Sequence, residues 1–221
     1  LASVTDAIVA ALDKAQSAVI VAGMLVGRAG HADALARLLD VSGLPFATVF
    51  SGKSVLDERH PNYVGMYDGA LLEPEVRALV EGADVVIDIG APMTDFDSGV
   101  FTAKLDADRT ILVGHHHVRI GAKTHANVEL ADLLEALSAR LAHRDWPRRT
   151  PGTLGPVTGS GADPIDAAAL YPRWAAFLEP GDIVIAETGT ASMGLAFAWL
   201  PEGATFQNQT LWGSIGWATP A

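Results

Sequence analysis

Two short runs near the end of the sequence hold the residue types best suited to ligand chemistry. In Ala186-Glu187-Thr188-Gly189-Thr190, two hydroxyls and a glycine fall where an apolar strand runs into a helix. Ligands of open parallel sheets bind beyond the carboxyl ends of strands. Free N–H groups at a helix start, helped by a threonine hydroxyl, suit a phosphate. The second run is Gln209-Thr210-Leu211-Trp212-Gly213-Ser214-Ile215-Gly216, continuing to Ala221. Glycines at 213 and 216 let the backbone approach a flat ligand closely, and Ile215 between them offers an apolar buttress. Either run alone is common; the two in this order are specific.

Other chemistry-bearing residues read more plainly. His115, His116 and His117 form a run, but on an extended segment neighbours point to opposite faces, so only His115 and His117 could share a metal. The chain has no cysteine and no helical H-E-x-x-H or H-x-x-E-H pattern, so a polar cluster at a strand end is expected and no metal site. The pairs Asp95/Asp97 and Asp57/Glu58 have the types for acid–base work, yet both lie in loops, where solvated carboxylates are the default. Gly23-x3-Gly27-x2-Gly30 follows a strand without the G-x-G-x-x-G spacing or an acidic ribose partner, and reads as a tight strand-to-helix turn.

The elements that must position these residues alternate. A helix is expected from about Val4 to Ala15, a buried strand from Ala18 to Val21, a helix from near His31 to Gly43, and a strand from Phe46 to Val49. Ala34, Leu35, Leu38 and Leu39 supply the apolar face of the second helix. A long loop follows from Ser51 to Leu72, and loops of this length are usually functional or interfacial. Pro74 suits the first turn of a helix reaching Gly82. The Val-Val-Ile run in Asp84–Ile89 fits the middle of a parallel sheet. Thr110–Val113 is a further strand, and Leu130, Leu133, Leu134, Leu137 and Leu141 stripe a closing helix. The fold class is therefore α/β, a doubly wound, mostly parallel sheet. From residue 146 to 164 the pattern lapses into a linker rich in Pro, Gly, Thr and Ser. A second α/β unit then opens, with a helix at Ile165–Leu178 and a strand at Ile183–Ala186.

Composition sets the outer bounds. The chain has 221 residues, 49% hydrophobic and 19% charged, as a globular protein does. Its net charge of −11 disfavours nucleic acid and anionic membranes as partners. No apolar run approaches the ~18 residues of a membrane span. With Leu1 at its start, no signal peptide in view and a Gly- and Pro-rich run at its end, the sequence reads as a piece of a longer, cytoplasmic polypeptide.

At these residues the chain resembles the thiamine-diphosphate-dependent pyruvate and indolepyruvate decarboxylases. Besides Glu187–Gly194 and Leu211–Gly216, the resemblance includes Gly52-Lys53-Ser54, Asp57-Glu58, His60-Pro61, Gly65-x-Tyr67-x-Gly69-Ala70-Leu71, Pro74-Glu75-Val76 and Asp95-Phe96-x-x-Gly99. It implies a central domain over residues 1–145 and the opening of a diphosphate-binding domain over residues 165–221. It also implies a 2-oxo acid cleaved to aldehyde and carbon dioxide through the cofactor's ylide. Thr188, Thr190, Gly213, Ser214 and Ile215 would contact thiamine diphosphate: Thr188 near the thiazolium, Thr190 near the diphosphate. The Gly213 carbonyl would accept from the 4′-amino group, and Ile215 would wedge beneath the rings. Phe96, Ser192 and Met193 would line the substrate pocket. A small residue at 192 favours an aromatic or branched 2-oxo acid such as indolepyruvate or phenylpyruvate, with pyruvate next.

The resemblance places the Mg²⁺ ligands, a G-D-G motif followed by paired asparagines, after Ala221. The activating glutamate and histidines would precede Leu1, on a partner subunit of a dimer of dimers. The piece by itself is then expected to be inactive. Two alternatives remain. One is a carboligase of the acetolactate synthase kind, with FAD on its central domain, although Gly90–Asp97 lacks that group's arginines. The other is a non-catalytic nucleotide-binding or assembly module.

Overall fold

The computed structural model describes residues 1–71 and 73–221; Leu72, the end of the long loop expected from Ser51, lies outside the described residues. Helix α1 (Ala2–Lys14) leads into strand β1 (Ala18–Ala22). A short helix α2 (Met24–Arg28) occupies the glycine-rich turn before α3 (Ala32–Ser42). Strands β2 (Phe46–Thr48) and β3 (Tyr63–Met66) follow, then α4 (Pro74–Gly82), β4 (Val85–Ile89) and β5 (Thr110–Val113). A hairpin of β6 (His117–Ile120) and β7 (Lys123–Ala126) precedes α5 (Leu130–Arg140). These strands form one sheet in the order β3-β2-β1-β4-β5-β6-β7. Pairing is parallel from β3 to β5 and antiparallel in the hairpin.

Alternation along the strands builds two layers. On one face Ile20, Phe46, Ile87 and Ile111 pack with Ile8 of α1, Leu35 and Leu39 of α3, and Leu134 and Leu137 of α5. On the other, Val19, Val21, Ala47 and Val86 pack with Val76 and Val80 of α4. Both faces of the central strands are therefore apolar, which is why β4 reads as an unbroken Val-Val-Ile run.

Between β1 and β4 the strand order reverses, the usual ligand crevice of such sheets. Here it is closed by backbone. A Cβ on Gly23 would lie 2.2 Å from the Ala91 Cα, so a glycine is required for the close approach. The tight-turn reading of Gly23 holds; helix α2 within that turn was not legible.

Two expectations fail. Strand β3 lies inside the supposed loop from Ser51, where a register shift at Phe46/Ala47 and Gly65 at φ +120° interrupt the period-two pattern. The hairpin β6–β7, for which the sequence suggests no strand beyond the polar cluster at His115–His117, forms the sheet's outer edge, with Val118 buried and Arg119 exposed. Residues 146–149 do not hang free either. Trp146 is buried and donates to the Ser42 carbonyl at 3.2 Å. Arg148 reaches Asn62 Oδ1 at 2.9 Å, and Arg149 reaches Glu73 at 3.3 Å.

Beyond this strap, α6 (Ala167–Phe177), β8 (Ile183–Ile185), α7 (Thr190–Leu195) and β9 (Thr205–Gln207) form a smaller unit whose two strands pair in parallel. Its core joins Leu195, Ala198, Leu200 and Phe206 to Phe50 and Met66 of the first unit.

Candidate functional site

The two units are locked by the segment 52–60. Lys53 Nζ lies 2.8 Å from Glu58 Oε1, both side chains all but fully buried, and also donates to the Ala198 carbonyl at 2.8 Å. Glu58 Oε2 accepts from Leu200 N at 3.0 Å, and its carbonyl accepts from Trp199 Nε1 at 2.8 Å. Arg59 donates to the Leu200 carbonyl at 2.7 Å and stacks on Trp199. Ser54 Oγ accepts from Phe206 N at 2.7 Å, and Asp57 Oδ2 from Gly203 N at 3.1 Å. Glu58 is therefore neither solvated nor free for acid–base work, contrary to the expectation for its loop; a buried carboxylate needs this pairing.

Asp97 is likewise buried rather than solvated, accepting from Ser51 N at 2.7 Å and Ser51 Oγ at 2.8 Å. Asp57 and Asp95 are exposed, as loop carboxylates are by default. The histidine run is a surface cluster. The His115 and His116 rings lie 4.1 Å apart, so these neighbours meet instead of opposing across an extended strand. His116 Nδ1 is 2.7 Å from Glu129. Among the described residues no group of three or more His, Cys, Asp or Glu side chains could hold a metal ion.

A cleft of about 830 Å³ opens where the units meet. Phe50, Asp68, Phe96 and Val100 line it from the first unit, and Tyr171, Thr190, Met193 and Phe197 from the second. Two glycines hold its first wall. A Cβ on Gly69 would lie 2.6 Å from the Ser98 carbonyl oxygen, and one on Gly99 would lie 2.2 Å from that of Asp68, with φ +49° and +59°. The loops after β3 and β4 therefore interlock through bare backbone. Phe96 packs on Phe50, ring centroids 5.9 Å apart. Val100 and Phe101, at φ +55° and +59°, are exposed at this edge; left-handed backbone at a β-branched residue stores strain of the kind that collects at ligand sites.

At the carboxyl end of β8 a second arrangement forms. Glu187 accepts from Thr188 N at 2.7 Å and from Ala218 N at 3.3 Å. Burial works against its ionisation, but the N–H groups of Thr188, Ala218, Gly216 and Trp217 outweigh this and hold the carboxyl below its usual range. Thr188 Oγ1 donates to the Ser214 carbonyl at 3.0 Å and lies 3.3 Å from that of Gln209. The two sequence runs are thus stitched together, and Gly213-Ser214-Ile215 becomes a fixed corner. Gly213 takes φ +59°, and Ile215 stands 85% exposed.

Of the residues singled out in the sequence, Phe96, Thr190 and Met193 meet in the cleft. Thr188 and Ser214 meet at the corner, while Gly213, Ser214 and Ile215 do not line the cleft. Ser192 is buried on the inner side of α7, its hydroxyl 3.2 Å from the Gly189 carbonyl, and also stays out of the lining. Tyr171 and Asp68 were missed. Tyr171 anchors Thr190 through a 2.5 Å bond to its carbonyl, and a Cβ on Gly194 would enter its ring. Asp68 was the unread position between Tyr67 and Gly69, with no signal of its own in the sequence.

The chain is similar to known proteins along its length. The family model described as "Thiamine pyrophosphate enzyme, central domain" matches residues 5–140. An alpha-keto-acid decarboxylase of Mycobacterium leprae (strain TN) is 38% identical over 206 residues, covering 91% of this chain and 36% of the relative. Those of Mycolicibacterium paratuberculosis and Mycobacterium avium are each 36% identical over the whole of this chain and 40% of their own length. The chain thus spans little more than a third of the relatives it matches.

Proposed function

We propose, since the chain belongs to the thiamine pyrophosphate enzymes and carries their central domain, that the protein is a non-oxidative 2-oxo-acid decarboxylase dependent on thiamine diphosphate and Mg²⁺. The observation that carries the reading is the stitched corner at Glu187–Thr188 and Ser214–Ala218. Its geometry suits a flat cofactor. An apolar side chain is held out on a hydrogen-bonded base, and among the described residues, apart from the glycine and its chain neighbours, none comes within 4 Å of where a Cβ would stand on Gly189 or Gly213. The names of the mycobacterial relatives support the same activity.

In this reading residues 1–145 form the central domain, 146–164 connect, and 165–221 open the diphosphate-binding domain. Thr190 would face the diphosphate. The Gly213 carbonyl would accept from the aminopyrimidine, with Ser214 and Thr188 keeping it in place, and Ile215 would support the rings from below. Bound there, thiamine diphosphate supplies the nucleophilic carbon and the electron sink that decarboxylation needs. The chain's own contribution is to bind, orient and keep out water. Phe96 and Met193 receive the substrate side chain, Phe50 and Phe197 close the apolar wall, and Ser192 sets from behind how far α7 leaves room. Metal ligands and the activating acid belong to other parts of a cytoplasmic homo-oligomer, a dimer of dimers.

The cleft's size and aromatic walls favour an aromatic or branched 2-oxo acid over pyruvate. Decarboxylation of indolepyruvate, phenylpyruvate and pyruvate by the full-length protein, with thiamine diphosphate and Mg²⁺ added, tests the reading. Carbon dioxide release from the aromatic acids is expected. No release from any of the three, or flavin-dependent carboligation in its place, would overturn it.

A further inference from the structure

The side chains at the cleft differ in one respect. Asp95 Oδ1 accepts from Phe96 N at 2.9 Å, Asp166 Oδ1 from Ala169 N at 2.8 Å, and the Tyr171 hydroxyl is spent on the Thr190 carbonyl. Asp68 is only 5% exposed, yet among the described residues its Oδ1 has no hydrogen-bond partner. No Lys, Arg or His stands among the described residues lining the cleft, and Phe50, Phe96, Tyr171 and Phe197 give it aromatic walls. A polar group buried without a partner is costly. A ligand that fills the cleft with hydrocarbon leaves that cost in place or raises it, whereas one that brings an N–H or O–H to the carboxyl removes it.

We propose that Asp68 is a specificity-determining residue of this cleft, selecting a ligand whose apolar ring carries a hydrogen-bond donor, an indole N–H or a phenol O–H, over the plain hydrocarbon ring. The inference rests on the cleft being the substrate site proposed above. Asp68 is one of the residues lining the cleft, and the broad, two-fold χ2 torsion of aspartate would let an oxygen turn toward a ligand there. Burial, followed by the nearby Asp97 charge, raises the Asp68 carboxyl to about 7, and both of its protonation states accept from an N–H. Sites built to hydrogen-bond a ligand donor reject analogues that lack it far more strongly than apolar pockets reject extra carbons.

The test separates this inference from the activity on which it rests. Binding of indole-3-propionate and 1-methylindole-3-propionate to the full-length protein is measured by calorimetry, alongside turnover of indolepyruvate, 4-hydroxyphenylpyruvate and phenylpyruvate. Wild type should bind the N–H probe about 10-fold more tightly than its N-methyl twin, about the worth of one net hydrogen bond. Asp68→Asn, which keeps a carbonyl acceptor in nearly the same volume, should retain most of that ratio; Asp68→Leu should abolish it. In turnover, kcat/KM for indolepyruvate relative to phenylpyruvate should fall in Asp68→Leu and hold in Asp68→Asn. Equal binding of the two probes by wild type, or loss of the ratio in neither variant, would overturn the role of Asp68. Should Asp68→Leu fail to fold, the absence of an N–H preference in wild type and Asp68→Asn would be as decisive. Failure of the decarboxylase reading shows differently, as absence of turnover with the probe preference intact.

Discussion

Replacing Lys53 by Met should cost far more than a surface charge does, because Lys53 and Glu58 are both almost wholly out of solvent. The substitution keeps the packing of the stem but strands the Glu58 carboxylate beside the Leu200 N–H and the Tyr63 hydroxyl, and strips the Ala198 carbonyl of its donor. Breaking a buried pair in this way costs about 3–5 kcal/mol, a large share of the ~5–15 kcal/mol that holds a typical domain folded. Glu58→Met should cost about the same. The double variant removes both charges and leaves the Ala198 carbonyl and the Leu200 N–H unpaired, at about 1–3 kcal/mol each. Its total of about 2–6 kcal/mol would then lie below the ~6–10 kcal/mol sum of the singles, the signature of direct coupling. Urea unfolding followed by tryptophan fluorescence and by far-UV circular dichroism measures this. Trp199 bonds the Glu58 carbonyl, so the fluorescence should report the separation of the units. In the single variants that change should precede loss of the seven-stranded sheet. Single-variant losses below about 1 kcal/mol, or strictly additive effects, would refute the reasoning.

Further outcomes follow from other positions. Burial, against the hydrogen bond from Ala91 N, raises the buried carboxyl of Asp88 to about 7 from its ordinary 3.8. A raised folded pKa means that its stabilising share is complete below pH 3.8 and is lost as pH rises to and through 7, up to about 4 kcal/mol; Asp88→Asn should flatten the decline in unfolding free energy between about pH 4 and 7, and an unchanged slope would count against it. Gly99→Ala sets a Cβ 2.2 Å from the Asp68 carbonyl oxygen in left-handed backbone, so a loss of about 2 kcal/mol or more in thermal unfolding is expected. Ser192→Trp forces a large ring into a buried position on α7; measurable destabilisation should accompany any fall in the ratio of indolepyruvate to pyruvate turnover, and a stable variant with unchanged preference would refute the role of Ser192 in setting the room left by α7.

What the sequence disclosed, it disclosed through periodicity. Helix α4 from Pro74 to Gly82 and strand β5 from Thr110 to Val113 match expectation at both ends, because a first-turn proline and a continuous apolar run are local signals. Strand β3 escaped because Gly65 and a bulge break its alternation, and β9 because three residues carry no period at all. The edge hairpin escaped because its charges describe a solvated rim. For the site, Thr188 and Ile215 stood out by type, and Phe96 and Met193 through the family resemblance. That Thr188 is a stitch and Glu58 a buried anchor depends on contacts with residues far along the chain, which no local pattern carries. Asp68 illustrates the limit best. Its importance comes from a missing partner, and a missing partner has no sequence signature.

The strap at Arg144–Arg149 bears on how the two units find each other. Pinned by Trp146, Arg148 and Arg149, it leaves about 16 residues before helix α6, with Leu154 packed on the second core and the Gly159 carbonyl bonded to Arg173; even as a loose coil such a tether would wander only ~20–24 Å. The smaller unit is therefore presented to segment 52–60 at an effective concentration of the millimolar order, whatever the concentration of the protein. Any separation of the two units would then be a unimolecular excursion with a short return path. Once parted from its dock, the smaller unit would stay leashed within reach of it.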